Sequence, residues 1–126
     1  MSKTKCPKVN LKSRDMLPKY SDEELGLLAG RVGLTLEQLK TVGEMANRTY
    51  QAIGYDLAQA NDGNQMKREE IVEVVLDCNY MEEHGRYGRT PLDPVIKEWL
   101  HGKWKYNLNH VYQAVAAVAF PYYLYE

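Results

Sequence analysis

Three glutamates between positions 69 and 73 have the spacing most suited to chemistry in this sequence. Glu69, Glu70 and Glu73 fall within four residues of one another, so a helix would place them close together along one side. Carboxylates held on facing helices bind Mg²⁺ and can support phosphate chemistry. Acidic helix faces that point to solvent also produce this spacing by chance very often. We therefore expect a solvated acidic helix face here.

The segment from Glu69 to Glu73 resembles the first half of the Glu-Glu-x-x-Glu … Glu-x-x-Asp pattern of all-α nucleotide pyrophosphatases. That resemblance implies a Mg²⁺-dependent hydrolase, which is the second alternative function. The three histidines and two cysteines have no tight metal-ligand spacing, and the sequence has no glycine-rich phosphate loop. The prediction is a protein that is not an enzyme, with no catalytic residue, no metal and no cofactor.

Two short segments share an order of residue types that could bind a partner. Residues 84–87 and 101–104 both read histidine, glycine, base, aromatic, and each glycine is expected to end a helix. Bases interleaved with aromatic rings can hold a partner by charge and by stacking. Residues 122–125 add three tyrosines, a residue type enriched at protein interfaces. The candidate partner-binding residues are Arg86, Tyr87, Arg89, Lys103, Trp104, Lys105, Tyr123 and Tyr125.

The formal net charge of −1 conceals a strong segregation of charge along the chain. Residues 1–20 hold six lysines and arginines against Asp15 alone, a net charge of +5, whereas residues 21–83 are acidic. A basic arm of this kind can lie along a nucleic-acid backbone. The candidates that the arm offers for such binding are Lys3, Lys5, Lys8, Lys12 and Arg14.

Residues 22–45 have the pattern of two helices joined at a tight corner. Ala29 is small enough to let the helices touch, Gly33 suits the turn, and Leu39 can anchor the second helix. The pattern resembles the DNA-reading helix-turn-helix, which implies that Gln38 reads a base and Lys40 contacts phosphate. The acidic residues around this corner favour the other reading, an ordinary corner within an α-helical domain.

Helix signals recur along the rest of the chain. Ser21 with Glu24, and Thr35 with Gln38, form capping boxes, and no stretch requires a strand. We predict an all-α fold of about five helices, near residues 22–32, 35–60, 65–83, 94–102 and 109–120. Residues 21–126 are expected to form a single compact domain, preceded by a flexible, extended basic arm over residues 1–20 that supplies no core residue. The longest helix has a regular apolar seam at Leu36, Leu39, Gly43, Ala46, Tyr50, Ile53, Leu57 and Ala60.

Composition restricts the function class. No apolar run reaches the roughly 18 residues of a membrane span, and no apolar stretch follows the basic N-terminus as in a secretory signal. Two cysteines in unlike contexts favour a reducing compartment, the cytoplasm, with the nucleus open. The leading hypothesis is a non-catalytic regulator or interaction module that binds another protein, or a second copy of itself through the 36–60 seam. The first alternative is nucleic-acid binding by the arm, the corner and residues 84–106.

Overall fold

Six α-helices make up most of the chain that the computed structural model describes, which comprises residues 5–12, 16–60, 66–86 and 90–120. No strand occurs among these residues, so the predicted all-α fold of about five helices is confirmed. No helix in this part of the chain combines the length and apolar character needed to cross a bilayer. The helices are α1 (Asp22–Gly30), α2 (Leu36–Ala60), α3 (Arg68–Val75), α4 (Cys78–His84), α5 (Pro94–Gly102) and α6 (Leu108–Ala119), and a 3₁₀ turn (Lys103–Lys105) follows α5.

Helix α6 lies at the centre of the fold. It packs against α1, α2 and α3. Four of its side chains are fully buried: Val111, Ala114, Val115 and Ala116. A helix that is apolar on most of its faces is stable in water only when other elements cover it. The surrounding helices are amphipathic and supply that cover, so the core is built around α6.

Both ends of α6 are closed by asparagine side chains. The Asn107 Oδ1 atom accepts a hydrogen bond from the Asn109 N–H at 2.9 Å, which satisfies one of the unpaired donors of the first turn. At the other end the Asn47 Nδ2 group, on α2, donates to the Ala119 carbonyl at 2.8 Å. The second contact fixes the C-terminus of α6 on the middle of α2.

Helices α2 and α6 approach each other closely at Gly43. This glycine is buried, and a Cβ atom built on it would overlap the side chain of Val118 on α6. The seam predicted for α2 is buried along much of its length, at Leu39, Ala46 and Ile53. The helix that packs on this seam therefore belongs to the same chain.

The corner between α1 and α2 forms as the sequence predicts. The Glu24 N–H donates to the Ser21 hydroxyl at 3.2 Å, and the Gln38 N–H donates to the Thr35 hydroxyl at 3.1 Å. Gly33 has a φ of 76°, a left-handed conformation that glycine adopts without steric cost. Local signals thus fix the turn and the start of each helix.

The prediction of one helix over residues 65–83 is wrong, because α3 and α4 are separate helices. The chain leaves helical geometry after Val75 and buries Leu76 completely at the bend. The Asp77 Oδ1 atom then accepts from the Asn79 N–H at 2.9 Å and caps α4. A buried leucine followed by a strong cap residue starts a new helix within two residues.

The prediction that residues 1–20 supply no core residue is also wrong. Residues 5–12 and 16–20 have no regular secondary structure, but Val9, Leu11 and Leu17 are buried in the core cluster. Isolated apolar residues among lysines give no helical or strand periodicity, so the sequence did not reveal their burial. The described part of the predicted arm is a docked N-terminal segment.

Polar contacts hold this N-terminal segment along α3 and α6. The Val9 N–H donates to the buried Gln113 Oε1 atom on α6 at 3.1 Å, and the Leu11 carbonyl accepts from the Glu69 N–H at 3.1 Å. The second bond satisfies a donor in the first turn of α3, where helical partners are lacking. Arg68, which is fully buried, donates to the Asn10 carbonyl at 3.2 Å. Backbone groups of the segment therefore have specific partners.

Gly43→Ala tests the close approach of α2 and α6. Alanine favours a helix interior by about 1 kcal/mol over glycine, but the added methyl group collides with Val118. We expect the free energy of unfolding to fall by about 1–3 kcal/mol in urea denaturation, as for other overpacked cores. Gly26→Ala is the matched control, since nothing lies within 4 Å of the corresponding position in α1, and it should be neutral or stabilising.

A second substitution distinguishes overpacking from any other effect of Gly43→Ala. Adding Val118→Gly removes both the Cγ1 and the Cβ atoms that the new methyl group would overlap. The double variant should therefore lose less stability than the sum of the losses of the two single variants. Equal stabilities of the Gly43→Ala and Gly26→Ala variants would contradict the packing described here.

Leu11→Ala tests the docking of the N-terminal segment. Removing a buried leucine side chain costs about 2–5 kcal/mol where the surroundings cannot collapse, so the urea midpoint should fall clearly. Lys8→Ala, at an exposed position of the same segment, should change stability by less than about 0.5 kcal/mol. If both variants unfold at the wild-type urea concentration, the segment is not docked in solution.

Candidate functional site

Exposed and half-buried residues on α5 and at the 3₁₀ turn that follows it present an aromatic–basic surface, which we define as Val95, His101, Lys103, Trp104, Lys105 and Tyr106. Helix α5 begins at a strong start signal, in which the Asp93 Oδ1 atom accepts from the Val95 N–H at 2.8 Å and proline takes the first helical position. Its apolar face buries Ile96, Trp99 and Leu100. Val95 and the residues after Gly102 are left on the outside.

A buried hydrogen bond fixes α5 relative to the α1–α2 corner. The Trp99 Nε1–H group donates to the Val32 carbonyl at 2.7 Å. A buried tryptophan whose N–H is satisfied is a strong orienting contact, because both its large apolar area and its donor are used. The position of the aromatic–basic surface is therefore set by the core and not by a free loop.

Trp104 projects from the 3₁₀ turn into solvent with 66% of its surface exposed. The Lys103 Nζ atom lies 5.1 Å from the centre of the Trp104 ring, a cation–π distance, and also donates to the Leu100 carbonyl at 2.9 Å. Burial lowers the pKa of Lys103 below its usual value, whereas Asp77 and Cys78 act in the opposite direction. Lysine and indole form one preorganised unit.

A shallow groove of about 190 Å³ lies between α5, the residues that follow it and Gly33. Val95, Trp99 and Tyr106 supply aromatic or apolar walls, and Glu98 and Lys105 supply charges. The Tyr106 side chain rests against Gly33, where a Cβ atom would collide with the phenol. The aromatic–basic surface is thus continuous with the α1–α2 corner.

Arg86 does not belong to this surface. Its Nε group donates to the Glu82 carbonyl and its Nη1 group donates to the Thr90 carbonyl at 2.7 Å, so it ties the end of α4 to the segment before α5. It lines a different groove, of about 220 Å³, with Met45 and Ile96. Among the described residues, Arg86 and Lys105 therefore line separate grooves, and the contact surface proposed over residues 84–106 stays a prediction.

Several predicted candidates lie outside the residues that the structure describes. These are Tyr87, Arg89, Tyr123 and Tyr125 of the partner-binding set, with Lys3 and Arg14 of the nucleic-acid set.

Side chains proposed for nucleic-acid binding have contacts within the fold. Gln38 uses its Oε1 atom to accept from the Thr35 N–H at 2.9 Å, and Lys40 forms an ion pair with Asp22 at 3.0 Å. Lys12 pairs with Glu69 at 2.9 Å. Lys5 and Lys8 are exposed. The corner residues therefore serve the helix start and its charge balance.

Glutamates of the segment from Glu69 to Glu73 also make contacts within the fold. Glu69 pairs with Lys12, and the Glu70 Oε2 atom accepts from the Lys67 N–H at 2.8 Å in a reciprocal cap of α3. Within the described ranges no three residues among His, Cys, Asp and Glu converge in a way that could hold a metal ion. Glu69 and Glu70 therefore have roles at the start of α3.

One juxtaposition was not foreseen from the sequence. The Cys78 Sγ atom lies 3.5 Å from the His101 Nε2 atom, although 23 positions separate the two residues. No spacing rule connects them, because the contact depends on how α4 packs against α5.

Comparison of the chain with protein-family models, with curated proteins and with solved structures gives no match in any of the three. The site is therefore interpreted from its own geometry.

Arg86→Ser and Lys105→Ser compare a basic side chain that holds the fold together with one that is exposed on the surface. Loss of Arg86 leaves the Glu82 and Thr90 carbonyls without their donor, so we expect the free energy of unfolding to fall by about 1–3 kcal/mol. Lys105 is exposed, and its replacement should change that free energy by less than about 0.5 kcal/mol. Equal thermal midpoints for the two variants would refute the role assigned to Arg86.

Proposed function

We propose that this protein is a non-catalytic interaction module that binds an acidic segment of another protein through the aromatic–basic surface. The observation that carries the proposal is Trp104, a tryptophan two-thirds exposed to water and already paired with a lysine. Tryptophan is the residue type most enriched among the energetic centres of protein interfaces. Exposed apolar patches can mark interaction sites, and Val95 and Tyr106 of the aromatic–basic surface are exposed as well.

The charge around Trp104 indicates what kind of partner fits. Lys103 and Lys105 flank the indole, and Glu98 is the carboxylate that lines the adjoining groove. An acidic segment would meet a locally positive surface, which favours fast association and correct orientation. The groove volume of about 190 Å³ is enough for one apolar side chain, since a cavity of roughly 150 Å³ holds benzene.

The contacts of the nucleic-acid candidates favour a protein partner. Gln38 is occupied in a helix cap and Lys40 in an ion pair, so the corner offers no free base-reading side chain at these two positions. The exposed Lys5 and Lys8 lie in the docked N-terminal segment. Nucleic-acid binding is the outcome that the experiment below must distinguish.

The proposed setting is a reducing intracellular compartment. Cys6 and Cys78 are both free thiols. Free thiols persist where glutathione or thioredoxin systems keep proteins reduced.

A displayed random-peptide library tests the proposed function. Peptides selected on the wild-type protein should carry aspartate or glutamate around one apolar residue. Trp104→Ser should weaken their binding by about 30-fold, because a central tryptophan contributes roughly 2 kcal/mol or more. Tyr55→Ser is the matched control, since Tyr55 is 76% exposed on α2, outside the aromatic–basic surface, and binding should stay unchanged.

Two results would overturn the proposal. Selected peptides that bind the Trp104→Ser and wild-type proteins equally would place the contact elsewhere. Failure to select any acidic peptide, together with binding of a single-stranded oligothymidylate that weakens steeply with salt, would assign the surface to nucleic acid.

A further inference from the structure

A thiol and an imidazole meet where α4 begins and α5 ends. The Cys78 Sγ atom lies 3.5 Å from the His101 Nε2 atom, within hydrogen-bonding range for sulfur. Burial lowers the pKa of the Lys103 ammonium group, and Lys103 is close enough to Asp77 and the Cys78 sulfur for both to act in the opposite direction. Cys78 is half-buried and His101 is exposed, so reagents in solution can reach the pair. This arrangement differs from an isolated surface cysteine.

The three groups have complementary chemical roles. The thiolate is the nucleophilic form of cysteine, and a neutral imidazole at hydrogen-bond distance can accept the thiol proton. A nearby ammonium group stabilises negative charge on sulfur. With no third metal ligand converging among the described residues, the geometry favours covalent chemistry at sulfur over metal binding.

We propose that Cys78 is a site of reversible thiolation by anionic low-molecular-weight disulfides, with His101 as the proton acceptor. The Cys78 sulfur attacks one sulfur of the disulfide as its proton passes to His101 Nε2. A new S–S bond forms to Cys78, the original S–S bond breaks, and the departing thiolate takes the proton from His101 and leaves as a free thiol. The added disulfide is the oxidant, and one equivalent of thiol is released for each mixed disulfide formed.

The preference for an anionic disulfide follows from the charges around the sulfur. His101 contacts the Cys78 sulfur, Lys103 is near enough to interact with it electrostatically, and Lys105 follows in the same 3₁₀ turn. Carboxylates on the reagent would be drawn toward these bases, whereas a cationic disulfide would be repelled. The dependence of the Cys78 reaction rate on the charge of the disulfide therefore distinguishes a site shaped by these basic groups from a thiol that is merely exposed.

Thiolation of Cys78 would also regulate the aromatic–basic surface, a consequence that rests on the proposed function. The added group would lie next to Lys103, whose ammonium group sits over the Trp104 ring. An anionic adduct would neutralise positive charge there and compete with an acidic peptide. Binding of peptides selected on the reduced protein should weaken on thiolation and recover on reduction.

The chain contains its own control for the chemistry, because Cys6 is also free and half-buried. Intact-mass and peptide-mapping mass spectrometry would follow the reaction of the full chain with glutathione disulfide at pH 7. We expect Cys78 to react at least about tenfold faster than Cys6, and His101→Gln to remove most of that advantage while preserving the thermal midpoint. Cystamine, a cationic disulfide, should show a much smaller advantage for Cys78.

Each result decides the proposal. Three results would overturn it. The first is an equal rate at Cys78 and Cys6, and the second is a Cys78 rate that His101→Gln leaves unchanged. The third is a ratio of the Cys78 rate to the Cys6 rate that is the same with glutathione disulfide and with cystamine. The rates need no binding partner, so they are independent of the proposed function. Fast thiolation without any effect on peptide binding would keep the thiol site and remove only its regulatory consequence.

Discussion

Burial of α6 is the constraint on which the rest of the structure depends. Between Val111 and Ala119 this helix has no Asp, Glu, Lys or Arg, and most of its side chains are inaccessible to water. Such a helix cannot face solvent, so α1, α2 and α3 must surround it. The one amide on it that is buried, Gln113, has its oxygen satisfied by the Val9 N–H. The N-terminal segment completes the enclosure.

The aromatic–basic surface is a consequence of the same core. Trp99 buries its ring and donates to Val32, which locks α5 against the α1–α2 corner. Once α5 is fixed, the 3₁₀ turn that follows must project Trp104 outward before Asn107 starts α6. The exposed indole therefore sits on a rigid support on both sides, and a side chain held in this way would lose little conformational entropy in a complex.

Local signals made much of the fold predictable from the sequence. Capping boxes at Ser21 and Thr35 and the Asp93-Pro94 start set helix boundaries through neighbours within a few residues. The break at Asp77 was not predicted because the apolar pattern continues across it. The burial of the N-terminal segment was not predicted for a different reason. Val9 bonds to Gln113, which lies 104 positions away, and no pattern in the neighbouring residues indicates that contact. In the candidate site, Lys103 and Trp104 were singled out by the order of residue types in residues 101–104, whereas the Cys78–His101 contact arises only from helix packing.

Native-state hydrogen exchange measures the central claim, that α6 and the segment covering it form the most stable unit. We expect the amides of Val115 and Ala116 to exchange only through global unfolding, with protection equal to the full free energy of unfolding. The Val9 amide lies outside any helix, and it too should be strongly protected through its bond to Gln113. Faster exchange in α6 than in α1 or α5, or an unprotected Val9 amide, would contradict this description of the core.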